Sequence, residues 1–270
     1  MKVESGKGKV CMQLHSYLVA VQLSVFHFPL AFLPVPSFTT TCLFNRVIAR
    51  DIYEFALKKP EGFFFNAGQF VLFDVPLLDD PANIQTRAFS IASAPHEPDL
   101  LFVAKMKEGG RASRWIAESL KEGSNVRLQG PFGGFTLKPE NAKEYLFIAT
   151  STGVAPFRSQ VVAALQSGDP RRMDLIFGVR STDDLFWMEE FQKLSTQYPQ
   201  FSLHASLSAG PDAWTGHRGR VQIVTKEAVP DAALRQVYIC GSPAMTTDMK
   251  KMCLEEWKME KKDLHVEGYI

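Results

Sequence analysis

Thr150-Ser151-Thr152-Gly153-Val154-Ala155-Pro156-Phe157 is the stretch from which the fold can be inferred. It follows an apolar run at residues 145–149 that is typical of a buried strand, and an amphipathic helix is predicted to begin near residue 155. Free backbone N–H groups and the positive end of a helix dipole make such a turn an anion site. The usual occupant is a nucleotide polyphosphate. A plain strand-to-helix turn is the alternative, since the octet lacks the three-glycine fingerprint and the P-loop lysine.

Downstream of residue 139 the pattern alternates between strands and helices. Strands are predicted at 145–150, 173–179, 201–206 and 236–240, and helices at 155–166, 184–194 and 244–258. This alternation predicts a Rossmann-like α/β domain with a parallel sheet, which binds ligands at the carboxyl ends of its strands. The turns at 150–153 and 240–242 both follow such ends, so together they would hold one elongated ligand.

Upstream of residue 139 the pattern predicts short strands. They fall at 41–48, 52–57, 68–75, 87–93, 100–106 and 125–129, and one helix is predicted at 111–121. Six strands at this spacing, separated by Pro and Gly, favour an antiparallel Greek-key barrel. The 270 residues therefore accommodate two domains, predicted at 37–139 and 140–270.

Composition excludes several classes of function. A net charge of +1 argues against nucleic acid as a partner. The four cysteines form no CxxC pair and no cluster, and the six histidines are scattered, so neither a zinc site nor an iron–sulfur centre is predicted. We expect reduced thiols and a cytoplasmic protein.

Residues 1–36 differ from the rest of the chain. Lysines precede an apolar run at 17–35, which resembles a signal peptide or a membrane anchor. Gln22, His27, Pro29 and Pro34 interrupt this run and are costly in a spanning helix. A membrane segment is therefore not favoured, and a disordered extension or a translation start placed too early are the alternatives.

Two motifs in the predicted barrel suggest a cofactor. Along the strand Arg87-Ala88-Phe89-Ser90, Arg87 and Phe89 share one face, which would set a cation on a phosphate and a ring on a flat cofactor. A ring in the barrel core is the alternative for Phe89. Gly109-Gly110-Arg111-Ala112-Ser113 opens a helix and is a second candidate phosphate cradle, with a simple N-cap as the alternative.

Five motifs in order carry a resemblance to a known family. They are Arg87 to Ser90, Gly110 to Ser113, Gly130-Pro131-Phe132-Gly133, Thr152 to Phe157 and Cys240-Gly241-Ser242-Pro243-Ala244-Met245. The ordered set resembles the ferredoxin–NADP reductase superfamily over about residues 37–270. The resemblance implies a flavoprotein that passes hydride from NAD(P)H to FAD.

The resemblance implies roles for the barrel residues. Arg87 would pair with the FAD pyrophosphate, and Phe89, where the family more often has Tyr, would stack on the isoalloxazine ring. Ser90 would hydrogen-bond near flavin N5. The remaining residues implied to contact FAD are Ala88, Val103, Lys105, Gly110, Ala112 and Ser113.

The resemblance also implies roles in the second domain. Cys240 would lie beside nicotinamide C4, Glu267 would relay protons near the flavin, and Tyr269 would cover the flavin face. Residues implied to hold the pyridine nucleotide are Thr152, Gly153, Val154, Arg180, Ser208, Gly241, Ser242 and Met245. The family usually has Gly at the place of Ser151. The alternatives are that Cys240 is only a small residue ending a strand and that the last residues are a frayed tail.

Nucleotide choice and electron acceptor are harder to infer. NADP-preferring relatives often place a basic residue after the serine of the strand-end segment, where this chain has Ala209, so NADH is expected; Arg180 and Arg218 are alternative cations. The expected acceptor is a separate protein, such as ferredoxin, a Rieske protein or an oxygenase component. A free-flavin reductase, or a flavin- or nucleotide-binding module without turnover, is the alternative.

Overall fold

Six antiparallel strands form the first sheet of the computed structural model, which describes residues 35–269. Their order is β4-β3-β6-β1-β2-β5. The strands are β1 (Ser37–Ala49), β2 (Ile52–Lys58), β3 (Phe70–Leu77), β4 (Asp80–Ser90), β5 (Asp99–Lys105) and β6 (Asn125–Phe132). Alternate residues of β3 are buried, as expected for a strand with one apolar face. The fully buried rings of Phe55, Phe73 and Phe102 fill the space that the sheet encloses.

Six parallel strands form the second sheet, in the order β10-β9-β8-β7-β11-β12. They are β7 (Tyr145–Thr150), β8 (Met173–Val179), β9 (Phe201–Leu207), β10 (His217–Arg218), β11 (Gln236–Gly241) and β12 (Leu264–Gly268). Along β7, Tyr145 and Phe147 enter one core while Leu146 and Ile148 enter another, so both faces of the sheet are covered. The two sheets confirm the predicted fold class.

Five α-helices lie within residues 35–269. They are α1 (Arg111–Arg114), α2 (Ala155–Gln166), α3 (Met188–Gln197), α4 (Val221–Ala228) and α5 (Pro243–Lys251). The two halves of the chain share one core, because Ile52, Val103 and Phe135 pack in the same cluster as Phe157 of α2. The ring centroids of Phe135 and Phe157 are 5.8 Å apart.

Several predicted bounds were wrong for local reasons. The strand predicted at 87–93 ends at Ser90, because the carbonyls of Ala92 and Ser93 accept hydrogen bonds from α2 instead of from a strand. The helix predicted at 111–121 is α1 followed by a π-helical turn, Trp115–Ser119.

Two helices of the second half also differ from the prediction. The helix predicted at 184–194 begins at Met188, because Ser181 and Asp184 form a capping box that closes a separate 3₁₀ turn. The helix predicted at 244–258 is α5, which a π-helical turn, Met252–Glu256, follows.

Three elements were not predicted. Helix α4 begins with β-branched residues, which lower helix propensity, and β10 has only two residues. Strand β12 pairs in parallel with β11, so the tail is an edge strand of the sheet rather than a frayed end.

The extension predicted at 1–36 falls almost wholly outside the described residues, and the boundary between 139 and 140 stays a prediction. Across residues 35–269, no helix combines the length and apolar character that a membrane crossing requires.

Candidate functional site

Four predicted site residues meet where β4, β11 and β12 end. The parallel register sets Glu267 opposite Cys240, and the Tyr269 N–H donates to the Gly241 carbonyl at 3.0 Å. The Tyr269 hydroxyl donates to Ser90 Oγ at 2.8 Å, and Ser90 Oγ lies 3.4 Å from Glu267 Oε1, to which it donates. Ser90, Cys240, Glu267 and Tyr269 therefore form one group, called here the junction cluster.

The junction cluster favours protonated side chains. Burial raises the pKa of the Cys240 thiol far above its ordinary value, and Glu267 adds to this effect, so the thiol is neutral at pH 7. Burial also raises the pKa of Glu267, although the hydrogen bond from Ser90 opposes the change. The pKa of the Tyr269 phenol is raised for the same main reason. A neutral thiol is a poor nucleophile, so this arrangement suits positioning better than covalent catalysis.

The 150–153 turn touches the end of β11 backbone to backbone. A Cβ on Gly153 would lie 2.3 Å from the Cys240 carbonyl oxygen and 2.7 Å from Gly241 Cα. A Cβ on Gly241, whose φ is 153°, would lie 2.2 Å from Thr150 Oγ1. Only glycine fits at either position. The segment after β7 and the end of β11 are therefore in direct contact.

Ser151 is the irregular residue of this turn. Its φ of 51° is in the left-handed region, which glycine adopts freely and other residues adopt at a cost. The backbone thus explains why glycine would suit the position. The side chain of Val154 is fully buried in the core, so any role of Val154 toward a nucleotide falls to its backbone.

A cleft of about 390 Å³ opens beside the turn, at the ends of β7, β8, β9 and β11. Of the predicted nucleotide residues, Arg180, Ser208, Ser242 and Met245 line it. The Ser242 hydroxyl also caps α5 by accepting the Met245 N–H at 3.4 Å. Four of the predicted nucleotide residues, from three separate segments of the chain, therefore line one cleft.

Sequence reasoning missed three polar residues of this cleft: Arg220, Gln222 and Asp248. Gln222 Oε1 is buried and has no hydrogen-bond partner among the described residues. Two arginines, several hydroxyls and an unpaired amide oxygen fit a phosphorylated ligand with N–H or O–H donors. Gly219 before a helix start was a signal that would have pointed to Arg220.

Arg218, which was considered as an alternative cation for the 2′-phosphate of NADPH, is hydrogen-bonded to a loop. Its guanidinium donates to the carbonyls of Pro211, Asp212 and Trp214 at 2.9 to 3.0 Å. Arg218 therefore shapes the loop that follows β9, whereas Arg180 lines the cleft.

The motif in β4 lies partly in the barrel core. Arg87 and Phe89 pair with Phe73 and Val71 of β3, so they share the inner face as predicted, while Ala88 is exposed. The half-buried ring of Phe89 packs against Phe73 at 5.1 Å between centroids. One part of the Phe89 ring therefore belongs to the barrel core, and the other part is exposed.

The start of α1 fits a phosphate group. No side chain caps its first turn after Gly110 and no acidic residue lies there, so backbone N–H groups such as that of Ala112 remain for a ligand. The Ser113 hydroxyl is already engaged, since it accepts the Lys107 N–H at 2.8 Å. The half-buried Arg87 donates to the Thr86 carbonyl at 2.8 Å and to Gln85 Oε1 at 2.7 Å.

Two residues on β5 were predicted to follow the flavin tail. Lys105 is exposed at the end of the strand. The Val103 side chain is 6% exposed and packs in the core that the two halves share, so a contact of Val103 with the flavin tail falls to its backbone and stays a prediction.

Comparison with known proteins agrees with this geometry. The Oxidoreductase FAD-binding domain family matches residues 45–137, and the Oxidoreductase NAD-binding domain family matches residues 147–251. Ferredoxin–NADP reductase B of Sorangium cellulosum is 32% identical over 233 residues, which cover 83% of this chain and 94% of that protein.

Further relatives are longer than this chain. The ferredoxin–NAD(P)(+) reductase component of a naphthalene 1,2-dioxygenase system of Pseudomonas putida is 31% identical over 72% of this chain, but only 58% of its own length is covered. The crystal structure of the Amycolatopsis cytochrome P450 reductase GcoB superposes with a TM-score of 0.80 at 29% identity, covering 87% of this chain and 70% of that one. The chain belongs to the ferredoxin–NADP reductase superfamily and is an FAD-dependent NAD(P)H oxidoreductase.

Proposed function

We propose that the junction cluster is the hydride-transfer site. The observation that carries this proposal is the contact of Ser90, from the FAD-binding half, with Glu267 and Tyr269 beside Cys240. Bound flavin supplies the chemistry, since it accepts a hydride and releases electrons one or two at a time. Ser90 and Cys240 then line the hydride path, and Glu267 lies beside it, where it can relay a proton.

Tyr269 occupies the space between Ser90 and Cys240, so it must leave when the nicotinamide enters. Its N–H is held by the Gly241 carbonyl, whereas, in the described part of the chain, its hydroxyl contacts only the side chains of Ser90 and Cys240. Rotation of the side chain is therefore enough, and β12 keeps its pairing with β11.

For the cofactors, we assign Arg87 and the start of α1 to the FAD pyrophosphate, and the 150–153 turn with its cleft to the pyridine nucleotide. NADH is the proposed donor, because Ala209 follows Ser208 and Arg218 is engaged by the loop carbonyls. Comparing kcat/KM for NADH and NADPH tests this choice, and a strong preference for NADPH would contradict it.

The proposed acceptor is a separate protein, either a ferredoxin or an oxygenase component. The support comes from relatives, of which one is named as a ferredoxin–NADP reductase and another as the reductase component of a dioxygenase system. A cytoplasmic location is proposed as well, since Cys42, Cys240 and Cys253 are buried free thiols.

One anaerobic experiment tests the central proposal. The purified protein is loaded with FAD, and flavin absorbance is followed by stopped flow after NADH or NADPH is added. Bleaching supports a reductase, while bound flavin that stays oxidised supports a binding module without turnover. In the same experiment, Cys240→Ala should slow the bleaching, and a native rate would remove Cys240 from the hydride path.

A second experiment identifies the acceptor. Steady-state NADH oxidation is measured with a plant-type ferredoxin, a Rieske ferredoxin and free FMN, each at matched concentrations. Saturable turnover with an iron–sulfur protein supports the proposal. Turnover with FMN alone supports a free-flavin reductase.

A further inference from the structure

Helix α2 connects the 150–153 turn to the segment that follows Ser90. The helix begins directly after the 150–153 turn, and its Arg158 and Ser159 are buried. Arg158 Nη1 donates to the Ala92 carbonyl at 2.9 Å, and Ser159 Oγ donates to the Ser93 carbonyl at 2.7 Å. Consecutive residues of the helix thus bind consecutive carbonyls, two and three positions after Ser90.

The guanidinium of Arg158 is fixed on every side. It makes a two-point contact with Glu97, at 2.9 and 3.0 Å, and contacts Glu190 at 3.1 and 2.6 Å. Its Cζ atom also lies 5.7 Å from the centroid of the Trp187 ring. Glu97 belongs to the segment after Ser90, whereas Glu190 belongs to α3, so one side chain joins the two halves of the chain. The fork geometry of arginine permits only a narrow range of arrangements.

Net stability does not by itself account for such a group. The desolvation of a buried ion pair often cancels its Coulombic gain, and apolar side chains of similar volume are frequently as stabilising. Glu97 is nevertheless held in its charged form: burial alone would raise its pKa, but the hydrogen bonds and charge of Arg158 outweigh burial and the pKa is lowered. What the ion pair offers beyond stability is a defined separation between the segments that it connects.

We propose that Arg158 is a positioning residue that sets the distance between Ser90 and the backbone of Gly153 and Cys240. The proposal rests on the hydride-transfer role of the junction cluster. Hydride transfer requires reacting atoms about 3–3.5 Å apart, and a misplacement of about 1 Å costs roughly 100-fold in rate. Helix α2 follows the 150–153 turn directly. A shift of Arg158 relative to Ala92 would therefore change the distance between Ser90 and Gly153 without removing any group from the cleft.

Two variants test the proposal from opposite ends of the contact: Arg158→Lys and Glu97→Gln. In the FAD-loaded protein, the rate constant of flavin reduction at saturating NADH should fall about tenfold or more for Arg158→Lys and less for Glu97→Gln. The Kd for NADH should stay within twofold of the native value. The kinetic isotope effect with 4-deuterated NADH should become more temperature-dependent, because the approach distance is less tightly defined.

A readout without flavin accompanies the kinetics. In the apoprotein, hydrogen exchange of residues 91–97 should be faster in both variants, since the Ala94 N–H donates to Glu97 Oε2 within this contact. Unchanged exchange would contradict the claim that Arg158 holds this segment.

Arg235→Lys is the matched control. Arg235 is 1% exposed and pairs with Asp174 at 2.6 Å and with Asp231 at 2.8 Å, but both partners belong to the second half of the chain. It should lower the Tm and leave flavin reduction unchanged.

Native rates in Arg158→Lys and Glu97→Gln, or an equal slowing in Arg235→Lys, would overturn the proposal. If Arg158→Lys does not fold, Glu97→Gln decides, because glutamine keeps the shape of a partly exposed loop side chain. A native protein whose bound flavin is not reduced by NADH or NADPH would instead refute the proposed function itself.

Discussion

Replacing Gly153 by alanine tests whether the 150–153 turn and the end of β11 have to touch. The added Cβ would lie 2.3 Å from the Cys240 carbonyl oxygen and 2.7 Å from Gly241 Cα, both of which are backbone atoms that cannot rotate away. An ordinary contact begins at 3.4 Å, so one of the two segments has to move by about 1 Å. Overpacking of this kind costs about 1–3 kcal/mol of unfolding free energy.

The same displacement acts on the proposed hydride path, because Cys240 moves relative to Ser90. We expect the rate constant of flavin reduction to fall by roughly 100-fold, the order of magnitude for a misplacement of about 1 Å. Urea denaturation measures the first effect, and anaerobic stopped flow with NADH measures the second. Gly134→Ala is the control, since a Cβ there meets no atom within 4 Å. Native stability and a native rate for Gly153→Ala would refute the reasoning.

Three further changes have definite expected results. Ser151→Gly should raise the unfolding free energy by up to about 1 kcal/mol, because relief of the left-handed φ outweighs the added freedom of the unfolded chain; a loss of stability in urea would contradict this. Glu267→Gln should raise the Tm at pH 8 but not at pH 4: the pKa of Glu267 is raised by burial, so its stability contribution is present at low pH and is lost as pH rises through that pKa. Thermal scans that differ equally at both pH values would show that the carboxylate is not penalised. Arg220→Ala should raise the Kd for NADH roughly 10- to 150-fold, since a hydrogen bond to a charged group contributes about 1.5–3 kcal/mol; titration of quenched flavin fluorescence measures it, and an unchanged Kd would place Arg220 outside the nucleotide contact.

Much of the fold could be predicted from the sequence, because strands and helices produce patterns among residues that are close together in the chain. Strand β8 was predicted with its observed bounds, because a mostly apolar run of strand-like length leaves little ambiguity. Strand β12 has only five residues, of which none is buried, so its pairing with β11 could not be inferred from periodicity. Glu267 of β12, and Tyr269 directly after the strand, entered the predicted site through resemblance to a family.

The contacts of the candidate site depended more on residues far apart in sequence. Gly153 was predicted as a nucleotide residue, but the reason for glycine there is the carbonyl of Cys240, which only the parallel register brings near. In the sequence, Arg158 looks like an ordinary polar residue of a helix. No neighbouring residue indicates that its partner is Glu97, 61 positions away. The Val103 side chain lies in the core that both halves share, a packing that its own strand does not reveal. The predicted contact of Val103 with the flavin tail stays a prediction.

The core that Val103 and Phe135 share with Phe157 has a thermodynamic consequence. Either half expressed alone would expose a contiguous apolar surface to water, which favours aggregation over folding. The two halves should therefore unfold together, and calorimetry of the intact protein should give one transition whose calorimetric and van't Hoff enthalpies agree. The protein should therefore behave as a single cooperative unit, although it binds two different nucleotides.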